Sequence, residues 1–235
     1  MKPGPLLEVE SVSKVYRSGG VAVHALRDVS LEVHEGGFVA LAGPSGSGKT
    51  TLLNLIGALD RPSSGTIRLG GTEVTALSKR AVTELRLYKI GFIFQDYNLI
   101  PVLTAQENVE FVMLLQRVAP AERAARAGAV LEQVGLGAHL HRRPSELSSG
   151  QQQRVAIARA IVSRPRLVLA DEPTANLDSE TGTSLIDLLR SLNEREGTTF
   201  IFAAHDPLII ERARAVVRLR DGQLASVVRR EPVLA

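Results

Sequence analysis

Cysteine is absent from the 235 residues of this chain. The absence excludes disulfide scaffolds, cysteine zinc sites, iron–sulfur clusters and thiol catalysis. Long apolar runs are also missing: a typical one, 167–170, is far shorter than the roughly 18 apolar residues that a membrane-spanning helix needs. We expect no secretory signal in the first residues, because the acidic Glu8 interrupts any apolar region there. We therefore expect a cytoplasmic protein that reaches a membrane only when a partner holds it there.

The chain also lacks a large excess of one charge sign over the other. The 28 basic residues barely exceed the 25 acidic ones, and the two signs are interspersed without a long run of either. A basic stripe of the kind that binds a nucleic-acid backbone is not indicated, so we expect no nucleic-acid partner. Hydrophobic residues make up 44% of the chain and charged residues 23%, which is typical of a folded globular protein and excludes disorder.

Strand patterns occupy both ends of the chain. Residues 6–42 are predicted to form strands. The stretches 7–15 and 25–33 alternate apolar and polar side chains, which is typical of half-exposed antiparallel strands, whereas 38–42 is continuously apolar, as in a buried parallel strand. The Asp221-Gly222 pair predicts a hairpin turn. Further short strands are predicted at 66–69, 90–94, 167–170, 199–203 and 216–219.

The middle of the chain is helical in composition. Thr104 and Glu107 form a capping-box pattern at the start of one helix, and Pro120 fits the first turn of the next. Helices are also predicted over 49–59, 150–163, 179–196 and 207–213. The strand–helix alternation outside the middle predicts an α/β fold, in which 1–98 and 161–235 form a largely parallel core with an antiparallel β subdomain. Residues 99–160 are predicted to form an inserted α-helical subdomain.

A glycine-rich segment between a buried strand and a helix matches the phosphate-binding loop pattern G-x-x-x-x-G-K-[ST] in full. Its glycines let the backbone turn N–H groups inward, and the helix that follows adds its positive end, so the segment predicts a cradle for the phosphates of ATP. We expect Lys49 to reach the β- and γ-phosphates and the Thr50 hydroxyl to bind Mg²⁺. A dinucleotide pattern G-x-G-x-x-G is absent, which disfavours a Rossmann oxidoreductase. The residues predicted to surround the nucleotide are Gly43, Pro44, Ser45, Gly46, Ser47, Gly48, Lys49, Thr50 and Thr51.

Two acidic residues, Asp171 and Glu172, follow the apolar strand 167–170. They are expected at the carboxyl edge of the sheet, where open α/β folds bind ligands. Neighbouring strand residues point to opposite faces, so the two acids should have distinct roles. We predict that Asp171 holds Mg²⁺, directly or through water, and that Glu172 is the general base for an attacking water molecule.

Residues 147–154, Leu-Ser-Ser-Gly-Gln-Gln-Gln-Arg, lie about twenty residues before this acidic pair. They resemble the signature motif of ATP-binding-cassette (ABC) ATPases, which is usually Leu-Ser-Gly-Gly-Gln. Other family elements occur in the right order, and the resemblance covers nearly the whole chain. It implies a P-loop NTPase core of the RecA-like type. In this resemblance Tyr16 is similar to the aromatic residue that stacks on adenine and Gln95 to the Q-loop glutamine. Residues 175–178 are similar to the D-loop, and the resemblance implies that Asp178 is among the nucleotide-binding residues. His205 is similar to the switch histidine.

The resemblance also implies how the nucleotide is enclosed. Two protomers would form a head-to-tail homodimer around two ATP molecules, each ATP contacted by the signature of the other protomer. Gln95 would join Thr50 and Asp171 around Mg²⁺, and His205 would assist Glu172. The remaining histidines, His24, His34, His139 and His141, show no ligand spacing and are expected at the surface.

Independently of the resemblance, the signature segment fits the start of a helix. It comprises Ser148, Ser149, Gly150 and Gln151. Ser148 and Gln151 have the spacing of a capping box, and a helix N-terminus is also an anion site. Ser149 stands where the family usually has its first glycine. If that position requires a positive φ, Ser149 would be strained, and we expect slower or weaker closure of the dimer but not inactivity.

Residues 97–110 and the Gln-Gln-Gln-Arg after the signature resemble the subfamily of lipoprotein-release (LolD) and macrolide-export (MacB) ATPases. The implied function is that of a motor subunit of an ABC transporter, attached to the inner face of the cell membrane through an integral membrane permease. An FtsE-like ATPase that acts on cell-wall hydrolases through a membrane partner is the alternative. A soluble P-loop kinase or DNA-repair ATPase is disfavoured by the signature and by the lack of coiled-coil heptads. Five residues could receive a permease helix or fill the helical subdomain's own core: Tyr97, Leu99, Ile100, Pro101 and Leu103.

Overall fold

The computed structural model describes residues 4–18 and 21–230. The start of the chain, where no secretory signal is expected, lies partly outside these residues. Cα proximity divides the chain into two compact units, the first formed by the segments up to Glu84 and from Thr199, the second by Leu85–Thr198. The predicted helical subdomain, 99–160, falls within the second unit, and its boundaries stay a prediction.

The predicted strands and helices occur in their predicted order along the described residues, together with elements that were not predicted. The strands are β1 (Leu7–Ser18), β2 (Val21–Val33), β3 (Phe38–Ala42), β4 (Ser64–Leu69), β5 (Thr72–Glu73), β6 (Ile90–Ile93), β7 (Leu167–Asp171), β8 (Thr199–Ala204), β9 (Ala215–Arg220) and β10 (Gln223–Arg229). The helices are α1 (Lys49–Ile56), α2 (Lys79–Lys89), α3 (Ala105–Leu115), α4 (Pro120–Gln133), α5 (Ser149–Ile161), α6 (Ser179–Glu196) and α7 (Pro207–Arg212). Among them, none has both the length and the apolar character that crossing a bilayer requires.

The first unit contains an antiparallel sheet and a mainly parallel one. The antiparallel sheet has the order β2-β1-β4-β5. The antiparallel pairing of β1 with β2 agrees with the prediction from the alternating pattern. In the other, β3 pairs in parallel with both β8 and β9, and its continuously apolar residues are all buried. Asp221 and Gly222 both have positive φ, 51° and 76°, and connect the antiparallel strands β9 and β10. This confirms the hairpin turn, because both central residues of such a turn need the left-handed region.

The second unit packs α3, α4 and α5 together beside the parallel pair β6 and β7. Apolar residues at helical spacing, such as Val109 and Met113 of α3, are fully buried and form its core. A Cβ atom on Gly91 would collide with the backbone oxygen of Ala160, so glycine is needed where β6 meets the end of α5. The capping box of Thr104 and Glu107 forms at the start of α3, as predicted.

Helix α2 was not predicted from the sequence. None of its side chains is fully buried, and five of its eleven residues are charged, so its apolar pattern is short. Its polar residues instead make contacts within the helix, such as the ion pair of Arg80 and Glu84 one turn apart.

Candidate functional site

The segment between β3 and α1 has the backbone geometry of an anion cradle. Gly43, Gly46 and Gly48 have φ of 154°, 77° and 100°, a region that glycine adopts without strain. A Cβ atom on Gly43 would collide with the backbone oxygen of Leu219, so this position also requires glycine for packing. Helix α1 starts at Lys49 with no side-chain cap and no acidic residue in its first turn. Its positive end therefore faces the loop, and its own first turn carries no side-chain anion.

Two polar side chains of this loop are placed to meet an anion. The Lys49 ammonium donates hydrogen bonds to the backbone oxygens of Gly43 (2.8 Å) and Pro44 (3.0 Å), and only 7% of the residue is exposed. The Ser47 hydroxyl is buried and has no hydrogen-bond partner within the described residues. A buried donor without a partner calls for an explanation, and a phosphate oxygen in the cradle would supply one. The residues present therefore fit the phosphate group that the sequence pattern predicts. Pro44, Ser45 and Thr50 are exposed at the rim.

Strand β1 places Tyr16 close to this loop. The Tyr16 hydroxyl donates to Asp60 at 2.9 Å, and the Thr51 side chain lies near it. Lys14 lies 4.8 Å from the ring centroid and pairs with the same Asp60 at 2.8 Å. Burial, and then the Asp60 carboxylate, raise the pKa of Tyr16. The ring is held in one orientation while 41% of the residue stays exposed, which leaves room for a stacked base.

No sequence motif marks Lys14 or Asp60 as part of this site. Burial acts to raise the pKa of Asp60, but hydrogen bonds from Lys14, Arg61 and Tyr16 outweigh it and lower that pKa overall. Asp60 is separated from Tyr16 by 44 positions, so only the fold brings the two together.

Strand β7 ends at Asp171, and both predicted acids are half-buried there. Glu172 lies outside the strand with a φ of 46°. The expected alternation of the two acids across one strand is therefore wrong, because the chain turns into the left-handed region between them. That conformation costs a non-glycine residue about 1–2 kcal/mol, and such strain is typical of functional positions.

Asp178 caps helix α6. Its carboxylate accepts hydrogen bonds from the backbone N–H of Glu180 (3.1 Å) and Thr181 (2.9 Å) and from the Thr181 hydroxyl (2.7 Å). The hydrogen bonds from Thr181 lower the pKa of Asp178. The carboxylate is thus engaged within its own helix start, and its predicted contact with nucleotide stays a prediction.

The signature segment starts helix α5 with the expected capping box. The Ser148 hydroxyl accepts from the N–H of Gln151 at 3.3 Å, and the Gln151 side chain accepts from the N–H of Ser148 at 3.0 Å. Ser149 is the first helical residue and does not have a positive φ. The expected strain at Ser149 is therefore absent, because this position takes ordinary helical geometry. Gly150 is buried against the Thr181 side chain.

A histidine that showed no spacing signal lies beside the signature. His139 is half-buried, and its Nε2 lies 3.2 Å from the side-chain nitrogen of Gln151. His34 is also half-buried, whereas His24 and His141 are exposed as predicted.

Gln95 follows β6 with an exposed side chain, and its backbone oxygen accepts a hydrogen bond from Asn176 at 3.0 Å. His205 is exposed after β8, and the next residue, Asp206, caps α7. Within the first unit the structure thus brings Tyr16 to the phosphate loop. Within the second it joins the Gln95 loop to the segment after Glu172. No group of three or more acidic or histidine side chains suited to a metal occurs in the part of the chain that the structure describes.

Comparisons with known proteins place these features in a family. Residues 26–175 match the family model described as ABC transporter. An uncharacterised ABC transporter ATP-binding protein of Thermotoga maritima is 49% identical over 96% of both chains. The lipoprotein-releasing system ATP-binding protein LolD of Anaeromyxobacter dehalogenans is 49% identical over 94% of this chain and 93% of its own.

The macrolide export ATP-binding/permease protein MacB of Syntrophobacter fumaroxidans is also 49% identical over 92% of this chain. The match spans only 31% of that relative, so the chain corresponds to about a third of the MacB proteins it resembles. Among solved structures, the dimeric ATP-binding cassette MJ0796 bound to ADP and Pi superposes with a TM-score of 0.90. It is 39% identical, and the match covers 97% of this chain and all of that one.

Proposed function

The chain belongs to the ATP-binding proteins of the ABC transporter family, and on this premise we propose that it is the motor subunit of a membrane complex of the LolD and MacB type. It is an ABC-type ATPase with the cassette fold. The observation that carries the proposal is the phosphate loop, where three glycines of positive φ, a buried Lys49 and an unpartnered Ser47 hydroxyl surround the place of an anion. ATP is the ligand that this loop would bind.

Each protomer would bind ATP through residues of its own. Lys49 would exchange the backbone oxygens of Gly43 and Pro44 for phosphate oxygens, which as charged acceptors form stronger hydrogen bonds. Tyr16 would stack on adenine, held in place by Asp60 and Lys14. Glu172 would accept the proton of the attacking water, and His205 would hold that water and the γ-phosphate in position.

Mg²⁺ fits the donor set. The hydroxyl of Thr50, the carboxylate of Asp171 and the amide oxygen of Gln95 are the hard oxygen ligands that this ion prefers. Since the described residues contain no larger acidic cluster, most of the coordination would come from nucleotide phosphates and water. When bound, the ion neutralises negative charge on the phosphates.

A second copy of the chain would complete each site. The solved cassette that this chain resembles is a dimer bound to ADP and Pi. In such a homodimer Ser148 and Gly150, at the N-terminus of α5, would meet the γ-phosphate held by the other protomer. Ser149 and Gln151 would lie at the same boundary.

The loop after Gln95 offers a surface for a permease. Of the five predicted residues, four are half-buried (Tyr97, Leu99, Ile100 and Leu103) and Pro101 is exposed. These residues therefore pack partly within their own unit and leave part of their apolar surface accessible. The buried side chain of Asn108 bonds to the backbone of Ile100 and fixes the loop. Val102, which the sequence prediction left out, is 73% exposed, and Phe111, Leu114 and Leu115 add exposed apolar surface on α3. We propose that a permease holds the protein at the inner face of the membrane through this loop.

Replacing Glu172 by glutamine tests the function. Removal of a general base costs about 10²–10⁴-fold in rate, so we expect the variant to bind ATP and Mg²⁺ but to lose hydrolysis at least a hundredfold. The trapped state should appear as a dimer on size exclusion. Glu132→Gln, on the exposed side of α4, is the matched control. Wild-type turnover in the Glu172 variant would remove that residue from its role, and co-purification of a partner without a solute pathway would favour the FtsE-like alternative.

A further inference from the structure

The segment that follows Gln95 holds two successive residues in an unfavourable backbone conformation. Tyr97 and Asn98 have φ of 58° and 48°, and neither is glycine. Such residues stay in the left-handed region only where surrounding contacts impose it. The contacts that these two residues make therefore determine the path of the chain next to Gln95.

Gln95 and Asp96 are the central residues of a turn that leaves strand β6. The N–H of Tyr97 donates to the backbone oxygen of Phe94 at 3.2 Å and closes this turn. The two end residues of such a turn set the directions of the side chains between them. Since the Phe94 end continues directly from β6, the orientation of Gln95 depends on what holds the Tyr97 end.

A side chain of helix α5 holds the Tyr97 end. The Arg159 guanidinium donates one hydrogen bond to the backbone oxygen of Tyr97 (2.7 Å) and another to that of Asn98, each from a different terminal nitrogen. A planar guanidinium can meet two oxygens at once, and such charge-assisted hydrogen bonds are stronger than neutral ones. Burial lowers the pKa of Arg159, so the charged group is partly withdrawn from water where it makes these bonds.

A second contact holds the turn at Gln95 itself. The Asn176 side chain, in the segment between β7 and α6, donates to the backbone oxygen of Gln95 at 3.0 Å. The backbone oxygens of Gln95, Tyr97 and Asn98 thus all accept hydrogen bonds from side chains of distant segments. All these residues lie in the second compact unit.

We propose that Arg159 is a positioning residue for Gln95: its two hydrogen bonds fasten the Gln95 turn to helix α5 and hold the Gln95 side chain in one orientation. That side chain is exposed, so its orientation comes from the backbone that carries it and not from its own packing. The kinetic part of this inference rests on the proposed function, in which the Gln95 amide oxygen binds Mg²⁺, whereas the structural part does not.

Amide hydrogen exchange of the nucleotide-free full chain tests the structural part. Arg159→Lys keeps the charge but loses the planar fork, whereas Arg159→Met removes the charge and keeps an unbranched apolar stem. The Tyr97 amide, which closes the turn, should exchange about tenfold faster in the lysine variant and about a hundredfold faster in the methionine variant, because one and two charge-assisted hydrogen bonds are lost.

Arg126→Met is the matched control for these variants. Arg126 of α4 also donates to a backbone oxygen, that of Val162 at the end of α5, at 2.7 Å. Its replacement should leave the exchange of the Tyr97 amide at the wild-type rate. Unchanged exchange in both Arg159 variants, or an equal acceleration in the Arg126 variant, would overturn the proposal.

Steady-state ATP hydrolysis tests the consequence for turnover. Lys49 and Tyr16 are untouched, so KM should stay at its wild-type value while Arg159→Lys lowers kcat about tenfold. Gln95→Ala removes the side chain that Arg159 positions, so adding Arg159→Lys to that variant should lower kcat no further. A rise in KM with constant kcat, or two losses that multiply, would contradict the positioning role. If the wild-type chain did not hydrolyse ATP, the proposed function would fail, and the exchange result would still decide whether Arg159 holds the turn.

Discussion

Gly150 of the signature helix packs closely against Thr181 of α6, and adding one methyl group there tests the packing. A Cβ atom at this position would be 2.5 Å from the Cγ2 methyl of Thr181. Ordinary contacts between carbon atoms are about 3.5–4.0 Å, so Gly150→Ala requires a shift of roughly 1 Å. The methyl cannot turn away freely, because the Thr181 hydroxyl is bonded to Asp178 at 2.7 Å.

Two opposing effects determine how much Gly150→Ala changes the free energy of unfolding. Overpacking of this kind costs about 1–3 kcal/mol, whereas replacing glycine by alanine within a helix gains up to about 1 kcal/mol. The net result is a loss of about 1 kcal/mol in the free energy of unfolding. For a chain of this length that loss lowers the melting temperature by about 2–4 °C. Thermal unfolding followed by circular dichroism without nucleotide measures it.

Two further variants isolate the collision. Gly128→Ala makes the same change in the middle of α4, where no atom lies within 4 Å of the new Cβ, so it should raise the melting temperature. Thr181→Ser removes the obstructing methyl and keeps the hydroxyl that bonds Asp178. Combined with Gly150→Ala, it should recover the lost stability. A Gly150→Ala chain as stable as Gly128→Ala, or a double variant without recovery, would refute the reasoning.

Two other consequences can be measured. Lys14→Met removes the cation over the Tyr16 ring and the ion-pair partner of Asp60. The Kd for ATP, measured by calorimetry, should rise about threefold. An unchanged Kd would argue against a role of Lys14 and Asp60 in holding the ring. The pKa of Asp178 is lower in the folded chain than its ordinary value, so its carboxylate stabilises the fold above that ordinary value and the contribution is lost as pH falls through the folded-state pKa. Asp178→Asn keeps a helix cap, but its side chain does not titrate. Below about pH 4 the melting temperature of this variant should therefore fall less steeply with pH than that of the wild-type chain. Equal slopes of melting temperature against pH in the two chains would contradict a stabilising role of the Asp178 carboxylate.

Features whose chemistry is confined to a few neighbouring residues could be predicted without coordinates. The phosphate loop, the capping boxes of α3 and α5 and the turn at Asp221 and Gly222 all have the predicted geometry. Each depends on a backbone conformation or a side-chain contact within about four positions, and residue types at that spacing leave few alternatives. The same locality explains why the α/β fold and its element order could be predicted.

Contacts between distant positions could not be predicted in this way. Asn176 meets Gln95 across 81 positions, and Tyr16 meets Asp60 across 44. Helix α2 has no buried side chain to reveal it, and Glu172 adopts a left-handed conformation that its neighbours in the chain do not require. These features exist because packing brings separate segments together and holds them there, and the free energy of that packing is a property of the whole fold.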